Sequence, residues 1–245
     1  MKPNGHTSST HGLAALRDFV SKPQQPELER CELCATNLAE HHQHLIDPAA
    51  RRLICACDAC AILFTSSGET KYRRVPRDAR TIPDFVLSDQ TWNSLAIPIG
   101  LVFIYRSSVS VEMLAVYPSP AGPTETTLDR ESWDEIVSDN PVLLKLAPDV
   151  EALLINRMNG AREYLLVPID ECYKLTGIVR KYWRGFSGGP EGWDQIKRFF
   201  DRLKERSSPV SMSAKDAAAR PESKRGTRSS LHGAPTTASV LREFL

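Results

Sequence analysis

The sequence predicts an α+β fold: a small zinc-ribbon-like metal module, then an α+β domain of antiparallel strands packed with C-terminal helices, between disordered termini. Three observations carry this expectation. Two Cys-x-x-Cys pairs, Cys31/Cys34 and Cys57/Cys60, bracket a segment patterned as a hairpin. Farther along, strand-like runs rich in Val, Ile, Tyr and Phe precede two stretches of helical periodicity. Both ends of the chain are polar and rich in breakers.

Composition sets the outer bounds. A chain of 245 residues can bury a real core, as one large domain or two small ones. With 41% apolar residues, 25% charged residues and a net charge of +1, nothing in the balance points to nucleic acid or an anionic membrane. The longest apolar run, residues 95–105, is broken by proline and glycine and falls short of the ~18 residues of a membrane span. The N-terminal stretch has no apolar signal region. The expectation is a cytoplasmic protein, where clustered thiols bind metal more readily than they form disulfides.

In chain order, residues 1–26 read as mostly disordered, with a short amphipathic helix at 13–20. Residues 27–72 form the metal module. Between its two knuckles, HLI reads as an outgoing strand, Asp47-Pro48 as the turn and RRLIC as the returning strand. Residues 73–86 are a basic, proline-marked linker, and 87–206 the α+β domain. There, IPIGLVFIYRSS and VSVEMLAVYPSP read as paired strands and PSPAGPTE as a loop. Asp129 reads as the cap of a helix with an acidic first turn. The stretches VEALLINRM and REYLLVPI read as a hairpin turning at Asn159-Gly160. Two amphipathic helices follow, with Cys172, Leu175, Ile178, Val179 and Tyr182 on one face of the first. Trp193, Ile196, Phe199, Phe200 and Leu203 share a face of the second. Residues 207–245 read as a disordered tail, and no internal repeat is present.

Cys31, Cys34, Cys57 and Cys60 are the expected metal ligands. Two thiolates on each knuckle complete a tetrahedral site, and structural Zn2+ would replace a core too small to hold itself together. Iron or an iron–sulfur cluster is the alternative, because four thiolates on two knuckles also suit iron. Knuckles that hold iron usually carry glycine after the second cysteine, where this chain has Ala35 and Ala61. Cys55 reads as a small buried residue or as a fifth thiol near the metal. His42 and His44 are alternate ligands that could displace a cysteine; a solvated strand is the blander reading of HHQHL, which also contains His41.

The second domain lacks the parts for common catalysis. All six histidines (His6, His11, His41, His42, His44 and His232) lie outside residues 45–231, so no Ser–His or Cys–His pair can form within it. Cys172 reads as an inert buried thiol. Glu131, Asp134, Glu135, Asp170 and Glu171 read as first-turn helix charges. GFSGGPEGW reads as a turn between helices, since it follows a helix and lacks the Lys-Ser/Thr pair of a phosphate loop. The basic run KYRRVPRDAR raises nucleic acid as a third reading, disfavoured by sparse aromatic interleaving.

The combination of GLAALRDF, CELC, HHQHLID, RRLICACDACAILF, YRRVP, IPDF, IPIGLVF, VPIDECYKLTGIVRKYWRGFSGG and a terminal W-x-x-I-x-x-FF helix spans about residues 12–206. It resembles an uncharacterised bacterial family, a domain of unknown function encoded near NiFe-hydrogenase structural and maturation genes. The resemblance implies a protein partner, a hydrogenase subunit or maturation factor. It also implies an accessory role in assembly, metal-cluster handling or electron transfer, and it supplies no catalytic residues. The reading from the sequence is therefore a non-catalytic metal-binding accessory or scaffold, with a redox or metal-transfer protein next.

Overall fold

Two strands at the centre of the protein are apolar on both faces, and this dictates layers on either side of them. In the computed structural model, which describes residues 29–66, 70–185 and 187–210, these are β5 (Leu101–Arg106) and β8 (Glu151–Asn156). All but the last residue of LVFIYR and all of EALLIN are buried. They pair antiparallel, Phe103 opposite Leu154. On either side run β6 (Met113–Ser119), β7 (Gly122–Leu128) and β9 (Glu163–Pro168). The short strands β4 (Arg80–Thr81) and β10 (Ser208–Pro209) complete a seven-stranded sheet of order β10-β4-β9-β8-β5-β6-β7. Only the β10–β4 pair is parallel.

Because side chains alternate along a strand, the sheet feeds two cores. Leu101, Phe103, Ala152, Leu154, Leu165 and Val167 point to one face. There they pack on α4 (Ile169–Tyr182) through Cys172, Leu175 and Val179, and on α5 (Gly189–Glu205) through Ile196, Phe199, Phe200 and Leu203. Val102, Ile104, Leu153, Ile155 and Leu166 point to the other. That face is closed by Leu95 after α2 (Asp89–Ser94), by Ile136 of α3 (Arg130–Asp139), and by Val142 and Leu143 of the 3-10 turn Pro141–Lys145. Asp129 caps α3 as its sequence suggests, accepting from the Ser132 amide at 2.8 Å. The fold class is the expected α+β arrangement.

The cysteine module is built on a second, three-stranded sheet of order β2-β1-β3, from β1 (Gln43–Asp47), β2 (Arg52–Ala56) and β3 (Arg73–Arg74). The hairpin turns where expected, and Asp47 accepts from the Ala50 amide across the turn. Its two faces have different neighbours. Leu45, Ile54 and Ala56 close on the cysteines, whereas Ile46 joins the α4/α5 core of the large sheet, with Leu53 packed against it.

Two segments differ from their sequence reading. PSPAGPTE, expected to be a loop, holds the turn from β6 into β7, with Pro118 opposite Pro123. β7 is an exposed edge strand of Thr and Glu, a position where missing proline amides are tolerated and no apolar alternation marks the strand. Residues 73–86, read as a linker, contribute β3 to one sheet and β4 to the other. Val75 between them donates to His44 O and is buried in the shared core. The expected helix at 13–20 and the rest of residues 1–26, with 211–245 of the tail, lie outside the described residues.

Gly100 leads into β5 with no room for a side chain. An added Cβ would lie 2.9 Å from the Arg157 carbonyl carbon and 3.0 Å from the Met158 nitrogen, both backbone atoms. Gly177, on the exposed side of α4, meets nothing within 4 Å. Gly100→Ala is therefore expected to destabilise the protein by about 1–3 kcal/mol. Gly177→Ala should stabilise it by about 0.5–1 kcal/mol, since alanine loses less entropy in a helix. Denaturant midpoints of the two variants test both signs.

Candidate metal centre

The first knuckle is built by local hydrogen bonds. The Cys31 amide donates to Thr36 O at 2.8 Å and the Ala35 amide returns to Cys31 O at 2.7 Å. Ala35 takes a left-handed φ of 62°, the conformation that glycine adopts most easily. Glu32 ties this knuckle to β2: its amide donates to Cys55 O at 2.9 Å, and its carboxylate accepts from the Cys55 amide at 2.8 Å. The second knuckle runs directly into α1 (Asp58–Leu63). Cys57 is its N-cap, and the Cys57 sulfur accepts from the Cys60 amide at 3.5 Å.

These two turns bring Cys31, Cys34, Cys57 and Cys60 together, with all four sulfurs within 4.8 Å of one another. The Cys34 and Cys57 sulfurs are 3.7 Å apart. This is well beyond a disulfide bond of about 2.05 Å. It matches the ~3.8 Å edge of a tetrahedron whose centre lies about 2.3 Å from each sulfur. Cys31 and Cys60 are buried, Cys57 is half-buried and Cys34 is exposed.

The thiols compete for charge. Burial alone would raise Cys31, but hydrogen bonds from the backbone of Cys57, Leu33 and Cys34 and from the Cys34 side chain outweigh it, lowering Cys31 to about 6. Burial, reinforced by its three cysteine neighbours, pushes Cys60 up to about 12. One thiolate thus suppresses ionisation of the next. A cation among them relieves that repulsion, so this cluster could hold a metal ion.

Cys55, His42 and His44 do not join this group. A nitrogen of each histidine and the Cys55 sulfur lie within 4.8 Å of one another, as a cluster of their own. His44 and Cys55 are direct partners in the β1–β2 register. His44 is held from across the protein: its Nδ1 lies 2.8 Å from Asp170 Oδ2, on the first turn of α4. Burial pushes Asp170 up, yet the His44 hydrogen bond and the Lys174 charge bring it below the usual carboxylate range. Glu171 beside it pairs with Lys174 at 2.8 Å and Arg206 at 2.6 Å. The sequence reading, which took both carboxylates as helix first-turn charges, missed this contact. Cys172 is fully enclosed on α4, where burial pushes its thiol well up, as suits an inert core residue.

Among the described residues, no helix is long and apolar enough to cross a membrane. No curated protein and no solved structure matches the chain. A family model does match, over residues 30–207, from the first knuckle to the end of α5. Both cysteine pairs, the histidine cluster and the whole large sheet except its short β10 edge lie inside that span, and the chain belongs to the family of unknown function DUF5947.

Proposed function

We propose that the protein is a non-catalytic, metal-stabilised scaffold, with Zn2+ held by Cys31, Cys34, Cys57 and Cys60 and a protein as its partner. The observation that carries this reading is the convergence of four cysteines from two knuckles. Four thiolates fill a tetrahedral ion and leave no position for an activated water, so zinc there would stabilise the fold rather than carry out chemistry. A contact surface lies on the same module. Ile62, Leu63 and Phe64, at the end of α1, are 59%, 68% and 40% exposed, in a row that the second knuckle would hold rigid. The sequence resemblance to a family encoded near NiFe-hydrogenase genes supplies the candidate partner, a hydrogenase subunit or maturation factor.

Iron in the four-cysteine site is the second reading. One observation favours it: Ala35 adopts the left-handed turn that glycine takes after the second cysteine of an iron knuckle. Ala61 does not, because it lies in α1. Colour separates the two, since four-thiolate iron absorbs visible light and zinc does not.

Elemental analysis of protein purified anaerobically without added metal is expected to give zinc and a colourless solution. Cys31→Ser should release that ion and open residues 31–75 to protease, with the far-UV signal of the large sheet and helices largely retained. Iron with visible bands, or an unchanged metal content in Cys31→Ser, would contradict the zinc assignment. A second experiment tests the surface. Leu63→Asp should abolish binding to purified NiFe-hydrogenase subunits or maturation factors and leave metal content unchanged; binding equal to wild type would refute the assigned face.

A further inference from the structure

His44 reaches across to Asp170 of the large domain, with His42 and Cys55 beside it, and Cys55 also borders the cluster that holds the four cysteines. His44 and Cys55 are opposed across β1 and β2. The Cys55 amide and carbonyl are both committed to Glu32, and the His44 carbonyl to Val75. The pair therefore exchanges no backbone hydrogen bonds, which is the register in which opposed side chains come closest. His42 lies two residues before His44 and packs edge-on against it, with ring centroids 4.8 Å apart.

Each imidazole is already oriented by its Nδ1. That of His44 faces the Asp170 carboxylate at 2.8 Å. That of His42 faces Ala39 O at 3.0 Å, with Glu29 at 3.5 Å. Both nearest partners are acceptors, so in each ring Nδ1 carries the proton and a neutral ring keeps its lone pair at Nε2. A carboxylate or carbonyl behind the far nitrogen is the arrangement that fixes metal-binding histidines. The second observation is independent. The His42 side chain is only 7% exposed, and its Nε2 is enclosed with no hydrogen-bond partner. An orphaned buried ring nitrogen is costly unless something binds it.

We propose that His42, His44 and Cys55 form a second metal site, separate from the four-cysteine centre, for an exchangeable divalent transition-metal ion of the zinc class. Two imidazoles and a thiolate suit borderline ions such as Zn2+ and Co2+, and exclude Mg2+ and Ca2+, which take oxygen ligands. Three protein ligands leave a fourth position open. His42 and His44 also line a cleft of about 360 Å³ with Asp170, Lys174 and Arg206. The proposal goes beyond the scaffold reading and depends on none of its four cysteines.

The test is anaerobic Co2+ titration of the full chain, freed of metal and followed by absorption. Wild type should bind two ions per chain, the first with the intense charge-transfer bands of four thiolates, the second with a weaker, distinct spectrum. His42→Gln and Cys55→Ala should each bind one ion and keep the first spectrum. Cys55→Ala removes only a half-buried sulfur, so it remains informative if His42→Gln disturbs folding. Asp170→Asn should keep both ions but weaken the second by about 10–100-fold. A single Co2+ in wild type carrying the four-thiolate spectrum, or a second binding event that survives in Cys55→Ala, would overturn the proposal. Failure of the four-cysteine reading is distinguishable, because it removes the four-thiolate spectrum and leaves the second binding event sensitive to Cys55→Ala.

Discussion

Four thiols confined within 4.8 Å cannot all ionise without a cation among them, and the N-terminal module of the described fold is arranged around that constraint. The module has little else to hold it: its own buried core is Leu38, Leu45, Ile54, Ala56 and Ala61 with two of the cysteines. A core of that size does not stabilise a fold by itself, and a bound ion is the usual remedy. The hydrogen bonds that shape the knuckles position sulfurs; they do not offset the repulsion between them. Ligation would supply that missing part.

The hairpin is also what joins the module to the large sheet. Its outer face carries Ile46 and Leu53 into the core beneath α4 and α5. Around this contact run His44 to Asp170, Arg51 to Glu125, and Arg73 to Asp149 at 3.2 Å. β3 and β4 then stitch the basic segment to both sheets in turn. One face of the two-stranded hairpin thus closes on the four-cysteine cluster through Leu45, Ile54 and Ala56, and the other carries His44 and Cys55. The β1–β2 register places His44 opposite Cys55.

What the sequence disclosed follows from how local each signal is. Cys-x-x-Cys pairs, the Asp47-Pro48 turn, the Asp129 cap and the Asn159-Gly160 hairpin depend on a few adjacent residues, and all are readable. β7 was hidden because an edge strand of Thr and Glu carries no apolar alternation, and the prolines of PSPAGPTE argue for a loop. β3 and β4 were hidden because two-residue pairings leave no pattern at all. The His44–Asp170 contact spans 126 positions, so no local rule could find it. Strand parity groups His42 with His44 and Cys55 with Cys57; it takes the β1–β2 register to set His44 opposite Cys55, and the helix that packs there to bring Asp170.

The central claim is that one ion is held by sulfur alone at the two knuckles. X-ray absorption at the zinc edge, on the full chain loaded with one equivalent of zinc, tests it most directly. The account predicts a shell of four sulfurs at about 2.3 Å with no lighter scatterer in the first shell. A first shell containing nitrogen from His42 or His44 would contradict it.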